Sequence, residues 1–137
     1  MSVGATTLAD ISSADWSLRL GDIGAVVQGI KDIDQCIAII LSTSKGSDPL
    51  RPTFGVELWR YIDNPISVAI PAIVREVSAA IAMWEPRVIL QSVIVSPVLD
   101  TTTQSGAHLN VSLTWQLKLA GPLGSSRTTV IGLPGGA

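Results

Sequence analysis

The chain has 137 residues, enough for one domain that buries roughly 68% of its unfolded surface. A formal net charge of −2, with lysines and arginines scattered rather than blocked together, excludes an electrostatic footprint for nucleic acid. Charged residues make up 15% and hydrophobic ones 47%, where about 25% charged is usual. That balance fits either apolar surface covered by partners or a compact domain with few surface charges.

Residues 1–14 are small and polar and read as a flexible arm, ahead of one domain over residues 15–133 and a flexible tail over residues 134–137. The first ten residues hold no basic region and no apolar core, so no signal peptide is expected. Trp16, Leu18 and Leu20 alternate with Ser17 and Arg19, the period of a strand with one buried face; Gly21 and Gly24 then lead into a connector. From Gly29 the period changes. Ile30, Ile33, Ile37 and Ile40/Leu41 fall on one helical stripe, with Lys31, Asp32, Asp34 and Gln35 on the other side. Cys36 lies in this stretch as the sole cysteine, so no intramolecular disulfide is possible, and it reads as a small buried hydrophobe.

Lys45-Gly46-Ser47-Asp48-Pro49 is turn chemistry, and Pro52 continues the loop. A short helix is expected over residues 56–62, with Asp63-Asn64-Pro65 ending it and capping the next. That next helix shows the clearest pattern: Ile70, Ile73/Val74, Val77, Ala80/Ile81 and Trp84. Pro71 implies either a kink near residues 67–71 or a regular helix that begins at Pro71. Pro86 disfavours helical geometry at Glu85, so the helix must stop near Trp84. Continuous apolar runs fall far short of the ~20 residues of a membrane span.

After Arg87 the period is that of strands. Residues 88–99 are apolar on both faces, as in a central strand. Residues 100–106 form a polar turn. Leu109, Val111, Leu113, Trp115, Leu117 and Leu119 then alternate with polar residues, a strand with one apolar face. Residues 121–124 turn the chain into a last strand over residues 128–133. The order strand, helices, β-meander reads as α+β, with two to three helices packed on one face of a small, mainly antiparallel sheet.

Catalytic patterns are scarce. His108 is the one histidine, and neither a zinc-ligand spacing nor a nucleophile elbow, phosphate loop or dinucleotide fingerprint is visible, so no cofactor or metal is expected. Glycoside hydrolysis needs one carboxyl of raised pKa and a second about 5–9.5 Å away. Glu85 beside Arg87 is the wrong candidate, because a nearby cation favours the charged form.

The segment Ala82-Met83-Trp84-Glu85-Pro86-Arg87-Val88 resembles a signature of the gpW/gene-25-like family, the small baseplate wedge and sheath-initiator proteins of contractile phage tails. The family includes related subunits of type VI secretion systems and tailocins. Residues 32–43, Lys45-Gly46, the loop Arg51-Pro52-Thr53-Phe54-Gly55, Trp59 and Pro65 extend the resemblance over about residues 30–95. It implies a non-enzymatic structural protein of the virion tail baseplate, assembled in the host cytoplasm. Its partners would be baseplate wedge proteins and the tail sheath protein, with tube or hub proteins as further neighbours, and neither nucleic acid nor a membrane. Glu85, Pro86 and Arg87 would dock on the wedge, and Arg51, Pro52, Phe54 and Gly55 form the family's loop motif. Sheath polymerisation would begin by strand addition; the alternating stretch 109–119 and the segment Thr128, Thr129, Val130 and Ile131 are the edges available for it. The alternative is a tail-associated peptidoglycan hydrolase.

Overall fold

The computed structural model describes residues 6–61, 63–98, 108–120 and 126–133, excepting the side chains of residues 108, 120 and 133. The polar turn expected at residues 100–106, the turn at 121–124 and the tail at 134–137 lie outside the described residues. The fold is α+β, with two helices and two antiparallel sheets in place of the single sheet expected. Chain contacts divide it into two compact units, Met1–Ile39 and Ile40–Ala137.

In the first unit, β1 (Trp16–Leu18) pairs with β2 (Val26–Gln28), Ser17 opposite Val27. The sequence reading missed β2, because the connector glycines hid a three-residue strand; Gly21 and Gly24 both take positive φ and turn the hairpin. Trp16, Leu18 and Leu20 are exposed and Ser17 is half-buried, the reverse of the burial expected from their alternation. Residues 6–13 are tied to this hairpin. The Val26 amide donates to the Thr6 carbonyl at 2.9 Å, and Gln28 Oε1 accepts from the Ser12 and Ser13 amides at 2.8 and 3.0 Å. Helix α1 (Ile30–Ser42) follows. Its Gln35, read as a solvent-side residue, instead accepts from the Leu20 amide and donates to the Leu18 carbonyl, satisfying the backbone where β1 ends.

In the second unit a loop leads from α1 to a 3-10 turn, Leu58–Tyr61, and then to α2 (Ile66–Trp84). Neither Asp63 nor Asn64 caps α2. Pro65 stands at the N-cap, and its carbonyl accepts from Val68 and Ala69 at 2.8 and 2.9 Å. Pro71 lies inside the helix, at its exposed surface, so the helix neither begins there nor stops there. The buried stripe is Ala69, Ile73, Val77, Ala80 and Ile81. At 19 residues α2 is long and apolar enough to cross a membrane by length and composition. No continuous apolar run marks it in the sequence, because Arg75 and Glu76 interrupt the segment. Its stripe is buried within the protein, and the helix packs on β3.

The larger sheet runs β3 (Val88–Val98), β4 (His108–Leu117), β5 (Arg127–Leu133), in that order. Two expectations are therefore overturned. The apolar segment after Arg87 is an edge strand, and the alternating strand at its side is the central one, bonded on both flanks. Alternation and two-sided apolarity report what covers the faces of a strand and say nothing about its flanks. β4 ends at Leu117. Residues Lys118–Ala120 form a 3-10 turn, and Leu119 is fully exposed. The inner face carries Val93, Val95, Val111, Leu113, Trp115 and Ile131, with Val111, Leu113 and Trp115 fully buried. The outer face carries Ile94, Ser112 and Val130 in one cross-strand row.

Candidate functional site

Helix α2 stops where the proline requires. Glu85 adopts φ −128° and ψ 73°, and its amide closes the last turn on the Ile81 carbonyl at 2.9 Å. The reversal places Glu85 and Arg87 on the same side of the corner. Arg87 Nε donates to Glu85 Oε1 at 2.6 Å and its terminal nitrogen to Oε2 at 2.8 Å, a bidentate pair. The Glu85 side chain is 3% exposed and that of Arg87 31%, so the pair is not the surface contact its sequence spacing implies. Pro86 is exposed between them. Beyond the corner, the Arg87 carbonyl accepts from the Lys118 amide at 2.9 Å, anchoring the entry of β3 to the end of β4.

The loop motif meets this corner through Trp84. Phe54 is buried, with its ring 5.1 Å from that of Trp84 in an edge-to-face arrangement at 75°. Trp84 Nε1 donates to the Thr53 carbonyl at 3.3 Å. The Arg51 guanidinium stands over the Phe54 ring, 4.3 Å from its centroid. Gly55 has φ +97°, and a Cβ there would lie 2.1 Å from the Thr43 carbonyl oxygen. Only glycine lets the two backbones approach this closely, and the neighbouring Val56 amide donates to that same carbonyl at 3.0 Å. Arg51 and Pro52 are exposed. The two motifs, thirty residues apart in sequence, thus form one ridge running Arg51, Phe54, Trp84, Glu85, Arg87.

The roles of three supports of this ridge were not assigned from the sequence. Asp48 accepts from the Leu50 amide and from Arg51 Nε, each at 3.0 Å, and so aims the guanidinium. The Leu50 amide, more than Arg51, holds the Asp48 carboxyl below its ordinary range. Lys45 Nζ donates to Glu76 Oε1 at 2.8 Å, tying the loop to α2. That bond is the largest cause of a lowered Glu76 pKa, against a smaller desolvation effect. The Asp48-to-Arg51 spacing was a readable signal; a loop lysine reaching a helix thirty-one residues away left none.

The segment Thr128, Thr129, Val130 and Ile131 lies in β5, the other edge of the sheet, with β4 between it and the corner. Its side chains divide. Thr129 Oγ1 accepts from the buried Trp115 indole at 2.9 Å, and Ile131 lines a cleft of about 410 Å³ together with Leu41, Val56, Leu58 and Ile73. Thr128 and Val130 are exposed on the outer face. Among the described residues no strand pairs with the far side of β5, and none offers a cluster able to hold a metal ion.

Residues 27–121 match the family of the baseplate wedge protein gp25. The chain is 35% identical to baseplate protein W of Escherichia phage P2 over 62% of this chain and 77% of that protein. It is 32% identical to baseplate wedge protein gp25 of Enterobacteria phage T4, over 55% of this chain and 58% of that one. Among solved structures, a Geobacter sulfurreducens protein ascribed a tail-lysozyme role superposes with a TM-score of 0.65 and 26% identity, covering 78% of this chain and 91% of its own. A chain of the pyocin R2 baseplate shares the fold at a TM-score of 0.55 and 24% identity, over 88% of this chain and 99% of that one. So does a chain of a type VI secretion baseplate complex, at 0.60 and 15%, over 79% and 94%. On the length of the match and on the phage proteins it resembles, the chain belongs to the gp25 family of baseplate wedge proteins.

Proposed function

We propose that this baseplate wedge protein joins the wedge to the first ring of a tail sheath and starts sheath polymerisation by strand addition. The observation that carries the proposal is that no described strand pairs with the outer flank of β5 in a chain of this family. An unpaired strand flank offers a row of N–H and C=O groups that a sheath strand can bond. Arg127 is the only charge within β5, so little along it opposes such a strand. The ridge Arg51, Phe54, Trp84, Glu85, Arg87 lies at the entry of β3, the opposite edge strand, and supplies a separate face for the wedge. Its guanidiniums, exposed in part and held by Asp48 and Glu85, are already oriented for a partner's carboxylates or carbonyls.

The test is assembly of particles carrying Val130→Pro or Val130→Lys. Proline removes a backbone donor; lysine sets a charge in the path of the incoming strand. Folded protein of either variant enters baseplates, and the particles show tubes without sheath. Full-length sheaths on both sets of particles exclude β5 as the template.

The tail-lysozyme role ascribed to the Geobacter protein favours a second reading, a peptidoglycan hydrolase. The carboxylates argue against it: Glu85 is gripped by a guanidinium, Glu76 has a lowered pKa, and among the described residues no carboxylate lines the cleft beside β5. A general acid needs the opposite shift. Release of sugar from purified peptidoglycan by the folded protein would establish the hydrolase.

A further inference from the structure

The other edge of the sheet is also unpaired on its far side among the described residues, and its sequence is unusual. β3 spans Val88–Val98 without a charge, and Ile89, Ile94 and Val98 on its outer face are 43, 59 and 37% exposed. Proteins normally protect such an edge with charges, bulges or proline. β3 has two of these devices, and they stand apart: a bulge at Gln91, where the register shifts between Leu90 and Ser92, and Pro97 near the end. Gln91 is also engaged, donating to Gln116 at 2.7 Å and accepting from Ser126 at 2.8 Å. Between the bulge and the proline lies Ser92-Val93-Ile94-Val95-Ser96, which reads the same in both directions.

We infer that this palindrome is a self-pairing site at which β3 of one copy bonds antiparallel to β3 of a second, about a two-fold axis through Ile94. The palindrome identifies the occupant. In that register each residue faces a chemical equal: Ile94 against Ile94, Val93 against Val95, Ser92 against Ser96. Side chains of directly opposed residues share a face, and β-branched pairs favour such contact. A two-fold perpendicular to the sheet keeps the inner face of one copy beside the inner face of the other, so only inner-facing residues oppose inner-facing ones. The alternatives are therefore slips centred on Val93 or Val95. A centre at Val95 brings Pro97 opposite Val93, and a centre at Val93 brings the bulged Gln91 opposite Val95. Both carry a ladder-breaking feature into the paired stretch. The proline and the bulge thus leave one register open. Five residues a side make a small, weak and reversible interface, suited to covering an apolar edge on the free protein while leaving β5, across the sheet, clear of it.

The test is oxidation of Ile94→Cys beside the wild type, which retains Cys36 as a background thiol. The expected result is a disulfide-linked dimer of Ile94→Cys, with little or none from Ile89→Cys, Val98→Cys or wild type, since only residue 94 faces its own copy. In parallel, sedimentation of the wild type should show a concentration-dependent dimer. Ile94→Lys, at an exposed position, should weaken it at least about tenfold without shifting the thermal transition, because it sets like charges directly opposite. A wild type that stays monomeric at the highest attainable concentration, or equal cross-linking of all three cysteine variants, overturns the proposal.

Discussion

The corner ridge and the outer flank of β5 lie toward opposite edges of one three-stranded sheet and are built on opposite terms. At the corner the polar groups already have partners: both Glu85 oxygens hold the Arg87 guanidinium, Trp84 bonds the Thr53 carbonyl, and Phe54 is in contact with both a ring and a cation. Along β5 the side chains facing inward are satisfied, Thr129 by Trp115, while the outer backbone flank pairs with no described strand. A partner at the corner must read a finished surface; one at β5 completes an unfinished ladder. Substitutions should separate accordingly, the corner variants failing first in folding and the β5 variants first in assembly.

Phe54→Ala should show the largest effect. The ring is buried against Trp84, and removing it leaves a cavity under Arg51, at a cost of about 3–5 kcal/mol in urea unfolding of the isolated protein. Unchanged stability with lost assembly would place Phe54 in an interface and break the contrast. Arg87→Ala comes next. The sequence spacing alone implies a surface pair worth at most ~1 kcal/mol. With Glu85 3% exposed, the variant leaves a buried carboxylate without its cation, which costs about 3 kcal/mol. Replacing both residues together, Glu85→Met with Arg87→Met, should recover most of that loss, since neither charge is then stranded. Failure of this folded double variant to enter baseplates would sharpen the docking role. Its normal incorporation would refute that role.

How much of this was readable depends on whether the determinant is local. The stop of α2 at Trp84 follows from Pro86, and the span of α1 from its isoleucine stripe; both are decided within a few residues. The burial of Trp115 and the polar outer face of β4 follow from alternation. Strand order was not local. Nothing in residues 88–98 says that no described strand pairs with their far flank, and nothing in 108–117 says that both flanks are taken. Likewise, the outward-facing Trp16 and Leu18 keep the period of a strand while reversing its expected burial, because period fixes which residues share a face and not which face is covered. The residues of the corner were legible, but their burial and their contact with the Phe54 loop needed the fold.

The smallest expected effect tests the seam that holds the loop to α2. Lys45 and Glu76 are bonded at 2.8 Å, with side chains 35 and 19% exposed, so solvent screens the pair and its contribution is at most ~1 kcal/mol. The Glu76 carboxyl has a lowered pKa in the folded protein, first because Lys45 bonds it. A depressed carboxylate pKa adds stability that is fully present above its ordinary value of 4.5 and is lost as pH falls through the folded value. Lys45→Met should therefore be slightly less stable than wild type at neutral pH. The gap should narrow as pH falls below that ordinary value and close once Glu76 is protonated in both states. High salt should shrink the neutral-pH gap as well. Thermal unfolding of the two proteins across this range decides the matter: a gap that persists in acid means that the methionine has damaged loop packing, and that the ridge is held by Phe54 and Gly55 without help from the ion pair.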